Sequence, residues 1–246
     1  MININRPTQS PPSLETQAIR DYLNAVENWK NDPNLPQPTA APSYRNSDLI
    51  EAFDSCFFSK CYLTEKKFLS SYEMDIEHFL PKNFNESPEL RYEWTNLYPA
   101  DHDANMMKPH ATPEGGYLDP CNPEDNVENE ILYKLDFDGG ACHFKARNNG
   151  NTKAINTANL LDILHNGHNE MSKIKTGGLR KALFDKRDLV YKTIMNWQKA
   201  VIDHNADEAY EQEVKLKWLL SRKNSFTMLI RSTSGVRTFV PIDFLD

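Results

Sequence analysis

DIEHFLPK, residues 75–82, sets a carboxylate (Glu77) directly before a histidine (His78) and closes on Pro81 and Lys82. After a variable loop comes EWTNLYPA, residues 93–100, carrying Asn96. DHDANMMK, residues 101–108, then supplies Asn105 and Lys108. The first two segments read as a pair of strands. The third reads as a short helix, with Asp101 or Asp103 as its cap and Asn105 facing inward. An acid, a base, two carboxamides and two lysines thus fall in order within one short window. That is the outline of a metal-dependent site for cutting phosphodiesters.

The chemistry explains the residue types. Hydrolysis of a phosphodiester needs an activated water, charge relief on the phosphorane oxygens and a stabilised leaving oxygen. An imidazole near its ordinary pKa of about 6.5 can take a proton from water at neutral pH. One divalent ion can serve both the non-bridging and the leaving oxygen, and oxygen ligands suit Mg²⁺ or Mn²⁺. His78 is the base candidate, and Glu77 and Asn105 are the ligand candidates. The Asn96 amide can hold the loop or orient the imidazole. Lys82 and Lys108 are the phosphate candidates. Adjacent residues on a regular strand point to opposite faces, so Glu77 and His78 share a site only where the strand ends or bends.

Glu77-His78-Phe79-Leu80-Pro81, Trp94-Thr95-Asn96-Leu97 and Asn105-Met106-Met107-Lys108 together resemble the HNH, or ββα-metal, endonuclease family. Its pattern runs acid-His-x-x-Pro, W-x-N-L and N-x-x-K. The resemblance implies a strand hairpin and one helix gripping a single Mg²⁺ or Mn²⁺. It gives His78 the role of general base and Asn96 that of positioning the histidine loop, with Glu77 and Asn105 binding the metal. Many members brace this motif with a zinc knuckle of two CxxC pairs. The corresponding positions here read Cys61-Tyr62-Leu63-Thr64 and Asp101-His102-Asp103-Ala104. Structural zinc is therefore not expected, and the helical C-terminal half is the expected brace.

Over residues 56–165 the chain also resembles the HNH subunit of Septu-type anti-phage systems (PtuB) and its retron-associated relatives. The implied partners are an ABC/SMC-type ATPase (PtuA-like) and a retron reverse transcriptase with its RNA–DNA hybrid. The implied substrate is DNA or RNA, tRNA included. The alternative is a catalytically degenerate nuclease fold serving as a binding or scaffold subunit.

The 246 residues carry a formal net charge of −7, unusual for a protein that grips phosphates alone. Its distribution is uneven. Residues 112–140 hold eight acids (Glu114, Asp119, Glu124, Asp125, Glu128, Glu130, Asp136, Asp138) against Lys134, whereas residues 141–200 have a local balance of +7. That pattern suits a self-screening surface or two partner faces. Hydrophobic content of 39% and a mean hydropathy of −0.67 suit a soluble chain. Neither a signal peptide nor a membrane helix is expected, which points to the cytoplasm. Cys56, Cys61, Cys121 and Cys142 contain no CxxC pair and are expected as reduced thiols. A dispersed zinc site with His102, His110 or His143 is the competing use.

The expected fold is α+β and mainly helical, with a ββα-metal HNH core embedded between an N-terminal helix and a C-terminal helical region. Residues 1–45 form an arm with one helix and a proline-rich linker, 46–120 the nuclease core, and 121–246 a hairpin plus helices. Residues 1–12 read as disordered. A helix starts after Ser13, with Leu14, Ala18, Tyr22, Val26 and Trp29 as its stripe, and residues 33–43 lack regular structure. Further helices are expected near 47–54, over 157–174, over 179–204 with Leu183, Val190, Ile194, Trp197 and Val201 buried, and near 206–220. Residues 131–144 read as a hairpin turning at Asp138-Gly139-Gly140.

Overall fold

Apolar residues alternate with polar ones only briefly in this chain, and its strands are correspondingly short. The computed structural model describes residues 1–32, 34–82, 87–135 and 141–246. It is mainly helical, with two separate two-stranded antiparallel sheets. Strand β1 (Met74–His78) pairs with β2 (Leu97–Asp101), His78 opposite Leu97 and Met74 opposite Asp101. Helix α3 (His102–Met107) follows β2 without a break and packs on both strands. The second hairpin joins β3 (Ile131–Leu135) to β4 (Cys142–Ala146). Its expected turn at Asp138-Gly139-Gly140 lies outside the described residues.

Helix α1 (Gln17–Asn31) is capped by the Thr16 side chain, which accepts from the Ile19 N–H. Ser13 does not cap it. The Ser13 N–H instead donates to Asp48 at the start of α2 (Ser47–Phe57), and Leu14 belongs to a separate 3₁₀ turn. Residues 34–43 have no regular structure, as their prolines dictate. A short α4 (Val127–Glu130) precedes β3. Helix α5 (Thr152–Asn166) lies along β4 and buries Leu160, Leu161 and Leu164.

The single helix expected over 157–174 is divided. Gly167 ends α5 at φ +72°, and α6 (Glu170–Lys175) restarts behind a capping box of Asn169 and Ser172. Helix α7 (Gly177–Ile202) packs along α8 (Ala206–Leu220), and α9 (Thr227–Arg231) and α10 (Ser234–Phe239) close the chain. Leu183, Val190 and Ile194 of α7 are buried as expected. Val201 is not; in the last turn of α7 its neighbour Ala200 is the buried residue, and Val201 is half exposed.

The largest departure is at the N-terminus. Residues 1–12 were expected to be disordered, yet Met1, Ile2 and Ile4 lie in the main hydrophobic core with Leu49, Phe53, Phe57 and Tyr98. Polarity and prolines argued for disorder. Three apolar side chains in an extended run reverse that outcome once a groove receives them. The Ile4 N–H donates to the Pro120 carbonyl at 2.7 Å. The Arg6 guanidinium lies over the rings of Trp94 (4.6 Å) and Tyr98 (4.2 Å) and donates to the carbonyls of Trp94 and Leu97. The Trp94 indole N–H in turn donates to the Pro7 carbonyl at 2.9 Å. This arm braces the β1–β2 hairpin directly. The C-terminal half contributes through Lys60, whose ammonium donates to the carbonyls of Arg222 and Asn224.

Candidate functional site

Strand β1 ends at His78, so the alternation of faces ends there too, and Glu77 and His78 both line one cleft of about 380 Å³. Lys82, Asn105 and Lys108 line the same cleft, with Pro81, His110 and Thr112. Five of the six residues expected to share a site are thereby brought together.

Asn96, the sixth, stands behind the cleft, at the end of a 3₁₀ turn (Trp94–Asn96) just ahead of β2. It is 4% exposed. Its Nδ2 donates to the Leu80 and Leu90 carbonyls at 3.0 and 2.9 Å, and its Oδ1 accepts from the Leu80 N–H at 2.7 Å. The Phe79 N–H adds a bond to the Asn96 carbonyl at 2.9 Å. The carboxamide therefore ties down the loop leaving His78 through backbone, not through the imidazole.

The His78 ring is held by other groups. Its Nε2 lies 3.2 Å from the Arg91 carbonyl. A carbonyl only accepts, so Nε2 carries the proton and Nδ1 is the atom able to take one. Tyr44 meets the ring edge to face at 5.2 Å, and Lys82 and Arg91 approach the same Tyr44 ring. Burial, and then the nearby charge of Lys82, pull the His78 pKa down to about 4. The imidazole is neutral at pH 7 and free to act as a base.

Glu77 is 7% exposed, and both its oxygens are engaged. Oε2 accepts from the Tyr62 hydroxyl at 2.7 Å and Oε1 from the Lys108 ammonium at 2.5 Å. Burial raises its pKa, against the pull of Lys108. Lys108 was expected to face a phosphate. Here its ammonium is buried on Glu77 and also donates to the carbonyls of Phe79 (3.1 Å) and His78 (3.3 Å).

Asn105 donates from Nδ2 to Asp75 Oδ2 at 3.0 Å, beside His102 Nδ1, also at 3.0 Å from that oxygen. Its Oδ1 is then the atom able to serve a cation. Asp101 occupies the N-cap position of α3, but its side chain makes no capping bond and pairs with Lys66 at 2.5 Å.

Among the described residues, no three or more His, Cys, Asp or Glu side chains are grouped to hold a metal; the expected pair, one carboxylate and one carboxamide, is smaller than such a group. The cleft does hold a cation in an oxygen shell, namely the Lys108 ammonium on one carboxylate and two carbonyls. These three acceptors are oxygens, the donor type that hard cations take. The four cysteines are free thiols.

Tyr44, Tyr62 and Arg91 were missed by sequence reasoning. Tyr44 follows the proline-rich link, and no local pattern marks it. Tyr62 was read only as a position in a lost knuckle. Among the described residues, no helix is long and apolar enough to cross a membrane. No family model, curated protein or solved structure matches the chain.

Proposed function

We propose that this protein is an HNH-type endonuclease hydrolysing nucleic-acid phosphodiesters with one Mg²⁺ or Mn²⁺. The observation that carries the reading is the convergence of Glu77, His78, Lys82, Asn105 and Lys108 on one cleft at the end of a strand–strand–helix unit. In this reading His78 Nδ1 takes the proton of the attacking water. The Arg91 carbonyl and Tyr44 hold the ring, and Asn96 holds the loop behind it. Glu77 and Asn105 Oδ1 would hold the metal, which when bound supplies charge relief to the phosphate and the leaving oxygen. Lys82 stands at the cleft for a phosphate.

The reading extends to a defence complex with an ABC/SMC-type ATPase, in which a retron reverse transcriptase and its hybrid are further candidate members. Two features support a partner. The net charge is −7, so a second subunit would supply part of the nucleic-acid grip. Tyr210, Val214 and Trp218 form an exposed stripe at i, i+4, i+8 on α8, a surface suited to packing against another protein.

A second reading, a nuclease fold used as a scaffold, is favoured by the closed state of Glu77, whose two oxygens both have partners. Plasmid DNA and tRNA incubated with Mg²⁺ or Mn²⁺, with and without the ATPase, separate the two. The enzyme reading expects nicks or cuts that His78→Ala abolishes. The scaffold reading expects intact substrate throughout and ATPase binding that survives His78→Ala.

A further inference from the structure

The Lys108 ammonium has a coordination shell of three oxygens, Glu77 Oε1 at 2.5 Å and the carbonyls of Phe79 and His78 at 3.1 and 3.3 Å. All three belong to the end of β1 and the residue after it, where the cleft opens. Glu77 Oε2 is closed by Tyr62. The buried carboxylate therefore has one neutral donor and one cationic partner, and its charge is balanced by the cationic one. Lys108 follows the last residue of α3, its N–H bonded to the Ala104 carbonyl, with Pro109 after it. A flexible four-carbon stem anchored at a helix end can withdraw its ammonium without unfolding anything.

We infer that Lys108 is a built-in counter-ion of the cleft, which exchanges with a divalent cation on Glu77 and is thereby released to bind a phosphate oxygen. This rests on the nuclease reading above and deepens it. Two cations cannot share one buried carboxylate at this range without strong mutual repulsion. Before the exchange Glu77 is neutralised and the cleft is closed to metal. After it the cleft gains a free ammonium beside the cation, so metal and phosphate favour each other's binding.

The test is a Mn²⁺ titration by calorimetry and electron paramagnetic resonance on wild type, Lys108→Met and Glu77→Gln. Lys108→Met should bind Mn²⁺ about tenfold more tightly than wild type, because the competing charge is gone, and Glu77→Gln should lose binding. Equal or weaker binding by Lys108→Met, with binding still lost in Glu77→Gln, overturns the exchange but leaves the metal reading standing. No Mn²⁺ binding by any of the three overturns both. Because Lys108→Met leaves a buried carboxylate without its cation, a second measurement uses wild type alone. Amine acetylation read by mass spectrometry should find Lys108 protected without metal and reactive at saturating Mn²⁺. Protection unchanged at saturation overturns the exchange.

Discussion

At Asn96 one carboxamide makes three backbone hydrogen bonds, two to Leu80 and one to Leu90. Asn96→Ala removes all three from a buried position, and a loss of about 2 kcal/mol is expected, read as a lower urea midpoint with an unchanged circular dichroism spectrum. Another single residue makes the fold sensitive to acid. His165 of α5 is buried, its ring tilted against Phe144 at 4.8 Å, with Nδ1 on the Leu161 carbonyl and Nε2 without a hydrogen-bond partner. Burial lowers its pKa from 6.5 to about 4. The folded state thus takes up this proton at lower pH than the unfolded chain does. Its contribution is complete above pH 6.5 and falls as pH drops from there to about 4, a loss of about 3 kcal/mol. Melting scans between pH 7.5 and 4.5 should show this decline, and His165→Phe should flatten it. His78, lowered in the same direction, leaves a residual slope. Glu65 works in a lower window. Burial would raise its pKa, but the Met1 ammonium and Lys60 outweigh that and hold it at about 2, so its stabilisation is lost between about pH 4.5 and 2.

Among the elements, the short β1–β2 pair depends on supports the local sequence does not announce. The order of acid, histidine, asparagine and asparagine was legible because each type sits at a spacing that a strand end, a second strand and a short helix must honour. The helices expected near 47–54, over 179–204 and near 206–220 are present as Ser47–Phe57, Gly177–Ile202 and Ala206–Leu220, and apolar spacing made the buried positions Leu183, Val190 and Ile194 legible. The N-terminal arm was not legible, because Met1, Ile2, Ile4 and Arg6 gain their worth only from partners some 50 to 130 residues away. Arg6→Ala should lower stability by about 2–3 kcal/mol, read as a lower urea midpoint, since it removes both the ring contacts and the two carbonyl bonds. Gly167 is a second such position. Its φ is +72°, and a Cβ there would lie 2.5 Å from the Lys173 N–H nitrogen. Gly167→Ala should therefore destabilise the α5–α6 junction by more than the roughly 1 kcal/mol that a left-handed backbone costs, measurable by thermal melting.

For the whole molecule, the charge pattern takes on a concrete form. Lys153 of the basic segment pairs with Asp125 of the acidic one at 3.0 Å, and Lys181 and Lys199 pair with acids one helical turn away. Part of the asymmetry is screened within the chain, which makes a broad phosphate-binding face on this chain less available. The exposed α8 stripe is then the surface on which a partner-dependent nuclease would be held. Under the proposed function, Val214→Glu should leave the circular dichroism spectrum unchanged and abolish co-purification with the proposed ABC/SMC-type ATPase partner. The choice between DNA and RNA and the trigger were illegible in the sequence, because an imidazole with a carboxylate and a carboxamide suits either backbone, and no residue of the cleft distinguishes them. A cleavage assay tests the proposed chemistry of the cleft most directly. Plasmid DNA and tRNA are each incubated with wild-type chain or His78→Ala, alone and with the proposed ATPase, in Mn²⁺ or in EDTA. Strand cleavage by wild type is expected in Mn²⁺ but not in EDTA, and its loss in His78→Ala. Equal cleavage by wild type and His78→Ala, or none by wild type on either nucleic acid, would contradict the proposed nuclease.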